Sequence, residues 1–148
     1  MRRMLVVAAL AAAAFASLSA AGSASPEMRT VTLKVQKSQF GPILFDGRGR
    51  ALYSFTRDSR GKPSRCYGDC AAAWPVYFAP KGGLKAGAGV KQSLLGTTKR
   101  RDGRLQITYN GWPLYYYVDE KAGEVKCQNV RTHGGLWLVM RANGKAVR

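Results

Sequence analysis

The sequence predicts an all-β domain, mainly antiparallel hairpins with one short helix, in which two internally repeated units pack as one body. Three observations predict it: apolar and polar residues alternating with period two, Asn-Gly and Asp-Gly pairs between the alternating runs, and a repeat of whole motifs. Val31, Leu33 and Val35 alternate with Thr32, Lys34 and Gln36, as in a half-buried strand. Residues 52–56, 105–109 and 114–118 are short runs rich in β-branched or aromatic side chains, and 136–140 is a fifth apolar run. Asn110-Gly111 and Asn143-Gly144 follow two of these runs and offer the positive-φ pair of a type I′ hairpin turn; Asp46-Gly47-Arg48-Gly49 does so in longer form. Only residues 69–74 read as helix, with Asp69 to cap it, three Ala, and Pro75 to stop it. The Gly-, Ala- and Lys-rich stretch 81–91 reads as a mobile loop.

The repeat sets the architecture. Phe45-Asp46-Gly47 and then Leu52-Tyr53-Ser54-Phe55 recur as Tyr109-Asn110-Gly111 and then Leu114-Tyr115-Tyr116-Tyr117. Asp58 corresponds to Glu120, Cys66 to Cys127 and Trp74 to Trp137. A lone hairpin cannot bury its apolar face, so two such units, about 39–79 and 104–141, are expected to pack around a pseudo-twofold axis.

The chain has 148 residues and a mass of 16.1 kDa, room for one ordinary domain and a leader. Arg2 and Arg3, an apolar Ala-rich run from Met4, and a small-residue stretch up to Ala24 form the three parts of a secretory signal peptide. Residues 1–24 are therefore expected to be a cleaved leader and 25–148 the secreted domain. No Cys precedes Cys66, so no lipid-attachment cysteine lies near the leader, and a soluble periplasmic or extracellular protein is expected.

Export implies an oxidising compartment. Loop proximity favours a Cys66–Cys70 disulfide that leaves Cys127 over; the repeat register offers Cys66–Cys127 as the competing pairing. Cys66, Cys70, Cys127 and His133 formally make a Cys3His set for zinc or a soft metal, which the compartment argues against, and no cofactor is expected. One His and few acids assemble no nucleophile–base–orienter set, so the chain reads as a non-enzyme.

The charge is the strongest functional signal. Lys and Arg number 24 against 8 Asp and Glu, a net charge of +16. Arg57, Arg60, Lys62 and Arg65 cluster in the first loop, and Lys99, Arg100, Arg101 and Arg104 before the second hairpin. Such a field attracts polyanions, and outside the cytoplasm these are lipid headgroups, lipopolysaccharide or acidic polymers. No specific nucleic-acid motif is present. Exposed rings among Trp112, Tyr115 and Tyr117 would support a carbohydrate-binding alternative, and the Cys/His set a redox or metal-handling one.

Tyr53-Ser54-Phe55-Thr56-Arg57-Asp58 fits a Tyr-x-aromatic-x-x-Asp pattern. Cys66-Tyr67-Gly68-Asp69-Cys70-Ala71-Ala72-Ala73-Trp74-Pro75 follows, and later Gly96-Thr97-Thr98-Lys99-Arg100-Arg101-Asp102-Gly103 and Tyr109-Asn110-Gly111-Trp112-Pro113-Leu114-Tyr115-Tyr116-Tyr117. Across roughly residues 30 to 141 these motifs resemble the bacterial secreted-repeat family of predicted lipoproteins with that tyrosine–aspartate motif. The resemblance implies an exported envelope protein of unassigned biochemical role, with Tyr53, Phe55, Asp58, Trp74, Trp112, Tyr115, Tyr117 and Glu120 as motif or binding candidates. The chain departs from the pattern in lacking the lipid-attachment cysteine and in ending the second motif with Glu120.

Overall fold

The computed structural model describes residues 32–148; the expected leader at 1–24 lies outside the described residues. Among the described residues, eight strands make three small antiparallel sheets. Strands β1 (Leu33–Ser38) and β2 (Gly41–Asp46) form a two-stranded hairpin, with Leu33 opposite Asp46 and Ser38 opposite Gly41. Strand β3 (Tyr53–Phe55) pairs with β8 (Gly135–Val139), which pairs with β7 (Val130–Thr132). Strand β4 (Leu95–Lys99) pairs with β5 (Leu105–Tyr109), which pairs with β6 (Trp112–Pro113). Helix α1 (Asp69–Ala73) is barely one turn, and Gln92–Leu94 is a single 3-10 turn.

The core has two parts because several extended segments are covered on both faces. Ile43, Phe45, Tyr53, Phe55, Trp74, Tyr115, Trp137 and Val139 belong to one buried cluster. Leu33, Leu44, Leu52, Ile107, Tyr109, Leu114 and Met140 belong to the other. Neighbouring residues alternate between them: Leu44 and Phe45, Leu52 and Tyr53, Leu114 and Tyr115, Val139 and Met140. That is the period of two of an extended chain, with both faces apolar because both are covered. Each fully buried large apolar side chain contributes about 1.5–3 kcal/mol.

The expected strand over 114–118 is not a regular strand. Tyr115 makes isolated bridges with Tyr53 on one side and Val76 on the other, Tyr116 N–H donates to Pro75 O, and Val118 N–H to Ala73 O. The segment is held by short irregular neighbours on each side, so no ladder can extend along it. Helix α1 also differs from expectation. Gly68, at φ 55, sits at its N-terminus, Asp69 makes no capping bond, and the helix ends before Trp74.

The turns sort by backbone chemistry. Asn110 (φ 50) and Gly111 (φ 77) make the expected type I′ turn between β5 and β6. Asn143-Gly144 does not: only Gly144 has positive φ. It shares a five-residue pattern with two other turns, in which the first residue's N–H donates to the fifth residue's carbonyl and the fourth residue's N–H donates back to the first. The pattern runs over Asp46 to Arg50, Arg100 to Arg104 and Arg141 to Lys145, each with a left-handed glycine fourth and a basic residue fifth. A type I turn closed by a left-handed glycine needs only one positive φ.

The stretch 81–91 is tied down rather than a free loop. Thr32 N–H donates to Lys85 O, Val35 N–H to Ala88 O, and Gly87 N–H to Leu33 O, so it runs beside β1. Its glycines allow that approach, and the β1 edge supplies the partners.

Two glycines test the turn analysis. Gly61 (φ 74) has nothing within 4 Å of a built Cβ, whereas at Gly144 (φ 78) the Cβ would lie 2.5 Å from Asn110 Cβ. Gly61→Ala should cost about 1 kcal/mol, for the left-handed backbone alone. Gly144→Ala should cost about 3 kcal/mol, because overpacking is added. Denaturant unfolding of both variants checks the order, and equal losses would refute the close packing of the two turns.

Candidate functional site

The two motif tyrosines meet at the centre of the molecule. Tyr53 and Tyr115 form an antiparallel bridge with reciprocal N–H···O bonds, each 2.9 Å. Their hydroxyls then cross between the units. Tyr53 Oη–H donates to Glu120 Oε1 at 2.6 Å, and Tyr115 Oη–H donates to Asp58 Oδ2 at 2.6 Å. Each carboxylate also takes backbone N–H groups from its own loop: Arg65 N–H to Asp58 Oδ1 at 2.7 Å, and Lys126 and Cys127 N–H to Glu120 Oε1 at 2.5 and 3.2 Å. Ser64 Oγ lies 2.6 Å from Tyr115 Oη and accepts Cys66 N–H, which ties the first loop further to the second unit's tyrosine.

All four of these side chains are at least 95% buried. Burial, with the neighbouring carboxylate adding to it, pushes both tyrosines far above the ordinary phenol range, so they remain donors. Burial also raises Asp58; the Tyr115 hydroxyl, the Arg65 N–H and the Arg100 charge pull it back. Glu120 Oε2 is buried without a hydrogen-bond partner.

Around this pair the aromatics form a ladder with the same symmetry. Trp74 and Trp137 stack face to face, centroids 3.9 Å apart and planes within 2°. Phe55 stacks on the outer face of the pair against Trp137 at 4.0 Å, and Tyr117 packs on Trp74 at 5.0 Å, so each unit's second motif aromatic lies on the other unit's tryptophan. Tyr53 meets Trp74 edge-on at 5.3 Å, and Tyr115 meets Trp137 edge-on at 5.2 Å, each within its own unit. Such pairs contribute about 0.5–1.5 kcal/mol each beyond area burial.

Tyr53, Phe55, Asp58, Trp74, Tyr115 and Glu120 are thus interior side chains that contact one another, while Tyr117 and Trp112 are half-buried. Trp112 stands apart from the ladder, on the wall of an open cleft. Of the basic residues expected at the surface, Arg57, Arg60, Lys62, Arg65, Lys99, Arg101 and Arg104 are exposed. Arg100 is not: it is 6% exposed, and donates to Gln106 Oε1 at 2.9 Å and Cys66 O at 2.8 Å. The guanidinium fills an interior position because those two acceptors, together with the Tyr67 ring 4.1 Å away, replace its water. Arg101 covers the same ring at 4.5 Å, and Arg104 pairs with Asp102 over Phe78.

Cys66 and Cys70 form a disulfide, with Cα atoms 5.3 Å apart, and Cys127 is a buried free thiol. The disulfide uses two thiolates of the formal Cys3His set, and among the described residues no group of three His, Cys, Asp or Glu converges. Burial and then the Glu120 charge raise the Cys127 thiol above its ordinary value, the state of an unreactive thiol. His133 is exposed at φ 53, where its carbonyl accepts Arg57 Nη1–H at 3.0 Å. Sequence reasoning missed Ser64 and the inward role of Arg100. It also missed Asp46, which accepts Arg48 and Arg50 N–H and the Tyr116 hydroxyl; the Asp-Gly turn and the repeat register with Asn110 carry its only signal.

The crossed pair generates two predictions. Tyr115→Phe should lose about 2 kcal/mol of stability at neutral pH, since Asp58 then stays buried without its hydroxyl donor. Its loss and that of Asp58→Asn should sum to more than the loss of the double variant, as measured by a denaturation cycle. The second concerns pH. Asp58 is raised in the folded state, so its share of stability is full below about 3.8, the ordinary aspartate value, and is lost as pH rises through the raised value. The stability of the wild type relative to Asp58→Asn should therefore fall with increasing pH across that range; a rise would contradict burial as the dominant influence.

No curated protein and no solved structure matches the chain. A family model described as a secreted repeat of unknown function matches twice, over residues 34–77 and 96–141. These two stretches carry the two tyrosine motifs, the strands that lead into them, and both tryptophans of the ladder. The chain belongs to that family of secreted repeats, with two copies of the repeat meeting at Tyr53 and Tyr115.

Proposed function

We propose that the protein is an exported, non-enzymatic binding protein, periplasmic or extracellular, that attaches to an anionic envelope component through its basic loops. The observation that carries this is the fate of the carboxylates. Of the eight in the sequence, Glu27 precedes the described residues. Asp46, Asp58 and Glu120 are buried as hydrogen-bond acceptors. Asp102 and Glu124 pair with Arg104 and Lys126 at 2.8 and 2.7 Å. Asp69 and Asp119 are left to balance the remaining surface cations. The exposed, unpaired side chains of the surface are therefore predominantly cationic, which favours association with polyanions. The family's description as secreted and the basic loops support the same reading. Among the described residues no helix is long and apolar enough to cross a membrane.

Cosedimentation with vesicles tests this. Binding to phosphatidylglycerol vesicles should exceed binding to phosphatidylcholine vesicles, and should fall steeply as salt rises from about 50 mM to about 500 mM. Reversal of Lys62, Arg65 and Arg101 to Glu should weaken it without altering the fold. Equal partition to both vesicle types at low salt, or no binding to either, would overturn the proposal.

A further inference from the structure

Beside the central sheet lies a cleft of about 430 Å³, open to solvent on one side. Trp112 forms one wall, Thr56 just after β3 another, and Lys145, Ala146 and Arg148 a third, over a floor that reaches the buried Leu138 and Met140. Three turns from distant parts of the chain close one end. Asn110 is their hub: its Nδ2–H donates to Gly144 O at 3.1 Å, its Oδ1 accepts Arg60 Nη2–H at 2.6 Å, and its carbonyl accepts Arg60 Nε–H at 2.9 Å. Gly61 N–H donates to Gly111 O at 2.8 Å beside it. The Arg60 guanidinium is thereby held in place before any ligand arrives, which reduces the ordering cost of binding.

The lining chemistry is one-sided. Arg60, Lys145 and Arg148 are cations at the cleft, no Asp or Glu side chain lines it, and none of the three takes part in an ion pair among the described residues. The neutral polar groups are already engaged: Ser54 Oγ–H donates to Leu138 O, Thr56 Oγ1 accepts Leu136 N–H, and both ends of the Asn110 amide are used. A neutral polyol would find few partners for its hydroxyls, whereas an apolar body finds Trp112 and the aliphatic floor. The volume is near the lower end of small-molecule sites, about 300–1,000 Å³, enough for one short chain but not for a two-chain lipid.

We propose that this cleft is a binding site for a single-chain anionic amphiphile, a medium-chain fatty-acid anion, with its tail against Trp112 and Met140 and its carboxylate between Arg60, Lys145 and Arg148. Of the basic-loop residues only Arg60 reaches the cleft; Lys62, Arg65 and Arg101 do not line it, so the site stands whether or not those three side chains hold an envelope surface.

The test is a proton–nitrogen NMR titration of the whole protein with decanoate below its micelle concentration, at roughly 0.15 M salt, where exposed charges more than about 8 Å apart are screened. Decyltrimethylammonium, the charge-reversed twin, and glucuronate, a hydroxyl-rich anion, are the controls. Decanoate should give saturable shifts confined to the Trp112 indole N–H, Asn110, Gly144 and Lys145, and neither control should match it. Lys145→Glu with Arg148→Glu should weaken binding at least about tenfold, the loss of about 1.4 kcal/mol. Ala146→Phe, which fills the cleft, should abolish it. The triple reversal at Lys62, Arg65 and Arg101 should leave it unchanged, so failure here is distinguishable from failure to bind vesicles. Shifts spread without saturation over all the basic loops, equal binding of the cationic twin, or tighter binding of glucuronate would each overturn the proposal.

Discussion

The structure depends on an exchange: each repeat supplies a tyrosine hydroxyl to the carboxylate of the other. Asp58 and Glu120 lie in equivalent loops, and each draws backbone N–H groups from its own loop. Neither loop supplies the hydroxyl, which comes from Tyr115 in one case and Tyr53 in the other. A buried carboxylate short of donors is costly, by several kcal/mol when a partner is removed. The cost is avoided only when both units are present and in register, and the Tyr53–Tyr115 bridge fixes that register. One repeat alone would bury a carboxylate without its hydroxyl donor, or expose half an aromatic ladder to water. The motif as built here is therefore complete only where two repeats meet.

The same symmetry is reached by unequal local structure. Trp137 lies within β8, opposite both Phe55 and Val130, whereas Trp74 follows the one-turn helix α1. The rings nonetheless end face to face at 3.9 Å. Their polar edges differ accordingly: Trp74 Nε1–H donates to Thr132 Oγ1, and Trp137 Nε1–H has no partner. The repeat conserves the placement of side chains about the axis more closely than the backbone that delivers them. Packing of large rings dominates the energetics here, and it fixes positions without dictating whether helix or strand presents the ring.

What could be read from the sequence follows the same division. Strands β3, β5 and β8 lie in runs whose apolar or aromatic content marks them, and the Asn110-Gly111 turn declares itself chemically. Strand β2 opens with Gly41-Pro42, β4 carries Gly96 and Lys99, and β7 has only Val130-Arg131-Thr132, too short to show a period. The motif residues were legible as a set. Their pairing was not, because Tyr to acid is five residues in both units, and sequence alone does not tell a bond within a unit from one between units. Arg100 looks like its neighbours Lys99 and Arg101. Only the fold brings Gln106 and the Cys66 carbonyl to it, and with them an interior position. Lys145 and Arg148, distant from the charged clusters in sequence, join Arg60 only through the convergence of three turns on Asn110.

The tyrosine–aspartate motif attracts attention as a functional signature because it concentrates aromatic and acidic side chains. In this molecule Tyr53, Tyr115, Asp58 and Glu120 are buried and hydrogen-bonded across the repeats, and that bonding joins the two units. That has a consequence for the surface. Withdrawing Asp58, Glu120 and Asp46 into the interior removes from the outside the very groups that would have neutralised the basic loops. The cationic surface is thus coupled to the folding device: the same burial that joins the repeats keeps these carboxylates from pairing with the exposed basic side chains. The motif's own segment also forms part of the Trp112 cleft, through Ser54, Phe55 and Thr56, so the device that joins the repeats and the wall of the cleft are one piece of backbone.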